Sequence, residues 1–508
     1  MCNHAVYWDI NMKKSPRKAA PSKAAESSAT TSKTARSKTV KSKTAQAPSI
    51  SVWEDDPVPA VLVSRPVPDL GKKPLAFTFP KPAPKPGTFQ PGTPQFRYWT
   101  AAEALRRGAD FWAPLVPLAK WQVGASLKIL LDEGSDFNAY YDRNALNFFH
   151  GSTPTGVMYS GESPDVVCHE MGHAILDSFK PALWGAASHE AAAFHESFAD
   201  ISAILSALQL PSLCADILAA TGGKLYKSSR LSRLAEQLGA GIRQQYPDAV
   251  DPDCLRNAVN SFTYSDPTLL PSQGPAAQLS SEPHSFSRVF TAAFFESLGR
   301  ILSAKAANPA MPKVAELQAV ARNLAKILIL GVKSAPVVPN WFAQVAASMV
   351  IAAGPVDVSY GPILKAIFVR RSILSLQSAS TMHLFPQARA IVAPMVAEAS
   401  SLPTIALPAR QYGIDGFLLV EAATQARPFA AFASAADASS ISPASGLSGA
   451  QTFVDDLFRR GRVDYANAVP HVAQLDHGNR IRSHRLVKTD GGARLERVLF
   501  DCGFCCGG

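Results

Sequence analysis

The chain has 508 residues, 47% of them apolar, and a mean hydropathy near zero, which excludes disorder throughout and points to a globular majority with room for about two to four folded units. No run of eighteen or more apolar residues occurs, and the first thirty residues lack the apolar core of a signal peptide. Neither a membrane span nor classical secretion is therefore expected, and the address is cytoplasmic by default, with non-classical export as the other route. The net charge of +10 sits mostly in residues 1–50, which hold ten Lys/Arg against two acids, so the near-neutral remainder gives no electrostatic case for nucleic acid as the main partner.

Residues 1–50 read as a disordered basic leader: from Lys13 to Ala47 the chain is Ser, Thr, Ala and Lys and cannot bury enough surface to offset its ordering entropy. Residues 13–43 would attract nucleic acid or an anionic surface, but a solvated leader is the plainer reading. Residues 57–94 carry eleven of the 39 prolines, including Lys81-Pro82-Ala83-Pro84-Lys85-Pro86, which predicts an extended spacer over 51–95, with folding beginning near Phe96. Next, Ala125–Leu131 and Phe137–Tyr141 flank a turn composition at 132–136 and predict a hairpin or meander edge.

Ser163-Pro164-Asp165 supplies an N-cap, a proline at the first helical position and an acid in the first turn, so a helix is predicted over 164–179. A second runs from Ser188 to about Leu210, where Pro211 stops it. Residues 286–375 are largely helical by periodicity, punctuated by Pro309, Pro312, Pro336 and Pro339. Residues 376–508 form a C-terminal α/β region of unknown role, with a strand at Gly416–Val420, a hairpin around Asp490-Gly491-Gly492 and no chemistry in view.

The first of these helices contains His169-Glu170-Met171-Gly172-His173. Histidines at i and i+4 share one helix face, so both imidazoles can reach one zinc ion while the glutamate between them points at the open coordination position. A third ligand is expected from the second helix. Glu196 is the best candidate, because Asp200, one turn further on, can hydrogen-bond a ligand histidine and fix its tautomer. Glu190 reads as a first-turn acid favoured by the helix dipole, and His189 and His195 as packing or hydrogen-bonding residues.

With these residues the chain resembles the thermolysin family of zinc metallopeptidases, the gluzincins, whose HExxH is followed by a glutamate and, four residues later, an aspartate. Asn144-Ala145, Val157-Met158-Tyr159, Asp165 through Ala174, Leu255-Arg256 and His284-Ser285-Phe286-Ser287 look like that family's segments in the same order, over roughly residues 120–300. The resemblance implies an α+β, two-lobed fold over 96–375: a β-containing lobe over 96–163, a helical lobe beyond it, and a cleft at their junction. It implies one Zn2+ per chain on His169, His173 and Glu196, with Asp200 supporting His169 and Glu170 as general base. His284 would donate to the oxyanion and Arg256 to a neighbouring substrate carbonyl. Asn144 and Ala145 would align the peptide as an added strand, and Val166 and Leu255 would line an apolar pocket after the cut.

The chain also departs from that pattern. The segment joining the two metal helices is a few residues longer, His195 stands where the family has asparagine, and Trp184 takes the place of the oxyanion tyrosine. Calcium is not expected: Asp165 matches one family ligand, but Ala207 stands where a further acid belongs. Among the seven cysteines, Cys168 reads as a core residue and a Cys214–Cys254 bridge is left open. The Cys502-x-x-Cys505-Cys506 ending lacks a second CxxC and reads as a Gly-flanked tail. The functional expectation is a zinc endopeptidase on extended peptide; the alternative is a catalytically silent metal-binding protein that keeps the fold.

Overall fold

The N-terminal capping signal folds as the sequence dictates: Ser163 accepts the Val166 N–H and Pro164 occupies the first turn of a helix that runs to Phe179. The computed structural model describes residues 48–116, 118–154, 156–381, 401–423, 446–465 and 481–502; the leader expected over residues 1–50 lies almost wholly outside them.

The chain opens with β1 (Ser49–Trp53), β2 (Leu62–Pro66), β3 (Ala76–Thr78) and α1 (Pro94–Trp112). There follow β4 (Ser126–Leu130), β5 (Ala139–Tyr141), β6 (Ala145–Phe148), β7 (His150–Thr153), β8 (Gly156–Tyr159) and the helix just described, α2 (Pro164–Phe179). Then come α3 (His189–Ala207), α4 (Pro211–Thr221), β9 (Arg233–Leu234), α5 (Glu236–Gln245) and β10 (Arg256–Asn257). Pro211 both ends the run of α3 and opens α4 at its first turn, where a missing N–H costs nothing. The helical stretch is α6 (Pro283–Lys305), α7 (Val314–Ser334), α8 (Trp341–Ala353) and α9 (Tyr360–Arg370), broken at the expected prolines between α6, α7 and α8 and at Gly354-Pro355 before α9, with α10 (Leu376–Thr381) after it. The C-terminal part contains β11 (Thr404–Pro408), β12 (Phe417–Glu421), α11 (Gly446–Arg459), β13 (Val463–Asp464), β14 (His484–Thr489), β15 (Gly492–Arg497) and β16 (Phe500–Asp501).

The architecture is mixed α and β, consistent with an α+β class. Two five-stranded sheets, ordered β16-β5-β6-β4-β3 and β11-β12-β15-β14-β13, accompany a helical core in which α3 packs along both α2 and α6. Every residue of α3 is buried, so its polar side chains must find partners inside the protein. Among the described residues no single helix is long and apolar enough to cross a membrane.

Three expectations are corrected. Residues 51–95 are not a spacer: the alternation Ile50/Val52 buries one face of the β1–β2 hairpin against Tyr98 and Trp99 of α1, and β3 joins the first sheet parallel to β4. The prolines there bound short strands, which local composition could not distinguish from a polyproline run. Second, β4 and β5 do not pair as a hairpin; β6 lies between them, parallel to β4 and antiparallel to β5. Third, residues beyond 376 are not a separate region, because the described residues from 48 to 502 belong to one compact unit and β16 completes the first sheet.

Candidate metal centre

His169, Glu170 and His173 project from one face of α2, fully buried, with one ligand atom from each lying within 4.8 Å of the others. Gly172, between the histidines, lets α3 come close: a Cβ there would stand 2.7 Å from the Cα of Ala199. That approach brings in Glu196, whose Oε2 is 3.3 Å from His169 Nε2 and whose Oε1 is 3.7 Å from His173 Nε2. Asp200, one turn on, holds Oδ1 3.0 Å from His169 Nδ1. It also accepts both prongs of Arg256, Nη2 to Oδ1 at 2.8 Å and Nε to Oδ2 at 3.2 Å. Burial opposes ionisation of Asp200, but the guanidinium and His169 outweigh it and hold its carboxyl well below the usual carboxylate range.

His284 enters from the first turn of α6, its Nδ1 2.8 Å from Glu282 Oε1 and its Nε2 3.2 Å from Glu196 Oε2. Burial disfavours its charge, yet Glu196 and Glu282 raise it to about 9, which makes it a hydrogen-bond donor at neutral pH. His173 is held neutral by burial and by neighbouring cationic groups, the form a metal ligand requires. Burial pushes the Glu170 carboxyl up to about 8, against the pull of His169.

The residues fit a divalent metal by a structural test. His169 Nε2, both ring nitrogens of His173, both Glu170 oxygens and Glu196 Oε2 are buried without a hydrogen-bond partner of regular geometry. Orphaned groups of this kind cost about 1–3 kcal/mol each unless something satisfies them. A cation among them would do so, and two imidazoles with a carboxylate suit zinc.

Other sequence candidates fall elsewhere. Asn144 and Ala145 do not offer a free strand edge: their N–H groups donate to Asp142 Oδ1 at 2.9 and 2.8 Å in the β5–β6 turn, and β6 is paired on both sides. On that side β5 lies next to β6, and β16 pairs with β5 as the edge strand. Trp184 is not free as a donor, because its indole N–H binds the Arg497 carbonyl at 3.2 Å and its ring meets Phe500 edge-on. Leu255 lines a small pocket with Arg256, His284 and Cys502, whereas Val166 is buried in the main core and does not line it. Glu190 is a first-turn acid of α3, and its side chain accepts from Tyr264 Oη and the Phe342 N–H. His189 is a hydrogen-bonding residue, 2.9 Å from Asp456 Oδ2. Asp165, far from serving alone, accepts the Ala235 N–H. Cys168 packs in the core beside Ser206, and Cys214 and Cys254 are both free, so the bridge left open does not form.

Sequence reasoning missed the residues that wall the site from the C-terminal end. Phe500 stacks on His195 and His173 with ring centroids at 4.1 and 5.1 Å, and the Asp501 carbonyl accepts from His284 Nε2 at 2.5 Å. Cys502 is 2% exposed and lies against His169 and Glu170, which corrects its reading as a loose tail; Cys505 and Cys506 lie outside the described residues. The only local signal was the short apolar run Val498-Leu499-Phe500 ahead of Cys502, too brief to carry a period. A scan of the sequence against protein-family models finds no match, and no curated protein matches it.

Proposed function

We propose that the chain is a zinc-dependent endopeptidase with the two-lobed fold of the thermolysin-like gluzincins. The observation that carries this reading is the carboxylate of Glu196 meeting both imidazoles of the HExxH helix, beside an unpartnered Glu170. Zinc bound to His169, His173 and Glu196 supplies Lewis acidity, making water acidic near neutral pH and polarising a carbonyl.

The chain's own side chains do the rest. Glu170 takes the proton of the attacking water and returns it to the departing amine. Asp200, bound to Nδ1 of His169, fixes that ring's tautomer so that Nε2 keeps a free lone pair. His284 donates to the scissile carbonyl oxygen as negative charge develops, and Arg256, held in place by Asp200, faces a neighbouring carbonyl. The pocket beside Leu255 and Val250 favours an apolar residue after the cut. Peptide would add as a strand to β5, reading extension more than side chains.

The test is incubation of the purified chain with unfolded casein, with and without a zinc chelator, followed by sequencing of the new ends. Cuts preceding apolar residues that vanish on chelation are expected; a chain without stoichiometric zinc would contradict the reading. A second reading, a metal-binding protein without turnover, is favoured by one observation: the chain's own β16 already pairs with β5. Any chelator-sensitive hydrolysis excludes it.

A further inference from the structure

We propose that Phe500–Cys502 is a tethered occupant of the substrate groove and that Cys502 Sγ is the fourth donor to the metal, so that the chain holds its own site closed. This rests on the metal-centre reading above and adds to it a ligand and a means of regulation.

Four independent contacts put an extended peptide where a substrate would lie. Phe500 and Asp501 pair antiparallel with Tyr141 and Tyr140 of β5, and the Cys502 N–H continues the ladder to the Ala139 carbonyl at 2.8 Å. Strand addition of this kind derives its affinity from backbone hydrogen bonds. The Asp501 carbonyl sits on Nε2 of His284, the donor assigned to a substrate carbonyl. The Phe500 ring covers His173 and His195. Finally, the buried Cys502 thiol lies against both His169 and Glu170, two side chains of the candidate metal centre. Two imidazoles and one carboxylate leave one position of a tetrahedral zinc site open, and a cysteine sulfur is among its strongest ligands. Binding through sulfur breaks the S–H bond, and Glu170 is placed to take that proton.

The segment is also anchored. Arg462 pairs with the Asp501 carboxylate, and Arg497 lies over the Phe500 ring at 4.1 Å, so the C-terminal sheet presents the strand. The two pockets that open on His284 are both walled by it, one by Phe500 and Asp501 and the other by Cys502. A tethered occupant competes at an effective concentration of the order of millimolar, enough to exclude weakly bound peptide.

The direct test is X-ray absorption at the zinc edge of the full wild-type chain. One sulfur at about 2.3 Å alongside nitrogen and oxygen ligands near 2.0–2.1 Å is expected; a shell of nitrogen and oxygen only, at one zinc per chain, overturns the proposal while leaving the metal centre standing. A chain that takes up no zinc overturns both. The companion variant is Cys502→Ala, which should keep one zinc per chain, lose the sulfur and cleave casein about tenfold faster or more; unchanged cleavage with unchanged zinc counts against a closed site. Because the absorption measurement needs no variant, misfolding of Cys502→Ala would not rescue the idea.

Discussion

Asp200 binds His169 and Arg256 with the same carboxylate, its Oδ1 3.0 Å from the imidazole Nδ1 and 2.8 Å from the guanidinium Nη2. One side chain thus holds an imidazole of the candidate metal centre and the Arg256 guanidinium together. Asp200→Ala is expected to weaken zinc binding about 10–100-fold, as loss of such outer partners does elsewhere. Competition against a chromophoric chelator measures this, and wild-type affinity in the variant would break the link.

Glu170 makes no hydrogen bond of regular geometry and is fully buried, so its replacement removes little structure. Glu170→Gln, made in the wild-type and Cys502→Ala backgrounds, should lower casein cleavage by about 10²–10⁴, the usual worth of a general base, at unchanged zinc content. Retained turnover would remove Glu170 from the chemistry.

The close contact at Gly172 predicts a coupled loss. In Gly172→Ala the added Cβ would meet backbone at Ala199 and the Ser202 side chain at 2.8–2.9 Å, so α3 must move away and carry Glu196 with it. Stability should fall by about 1–3 kcal/mol in denaturant titration, and zinc affinity should fall with it. A variant that loses neither would mean that the helix spacing does not set the site.

Glu190 offers a pH test away from the candidate metal centre. Burial raises its carboxyl from 4.5 to about 7, partly offset by the Phe342 N–H and Tyr264 hydroxyl. A carboxyl with a raised folded-state pKa favours the folded state fully below its unfolded value and loses that advantage as pH climbs through the folded value. The window therefore lies between about pH 4.5 and 7, with a cost on the order of 3 kcal/mol above it. Glu190→Gln has no such titration, so the variant-minus-wild-type difference in Tm should grow in the variant's favour across that window. A flat difference in thermal melts taken over the same pH range would refute the assignment. Asp200 shifts the other way, held low, but is common to both proteins and cancels.

What the sequence determined lies in short-range rules. Ser163-Pro164 fixed the start of the HExxH helix, the i, i+4 spacing put His169 and His173 on one face, and Ser188 and Pro211 bounded the second helix. The same rules found the β14–β15 hairpin at Asp490-Gly491-Gly492 and the breaks between α6 and α7 and between α7 and α8. They failed where two equally permitted local states compete. Proline-rich residues 57–94 read as a spacer because the partners that turn β1, β2 and β3 into strands, Tyr98, Trp99 and β4, are distant in sequence. Only the tertiary structure could set the strand order of the first sheet, since pairing is a non-local choice: β6, which carries Ala145, is paired on both sides, β16 takes the edge beside β5, and Trp184 turns its N–H to Arg497. It alone brought Phe500, Asp501 and Cys502 to helices more than 190 residues away, a contact maintained by strand addition and burial, for which three residues of sequence carry no periodic signature.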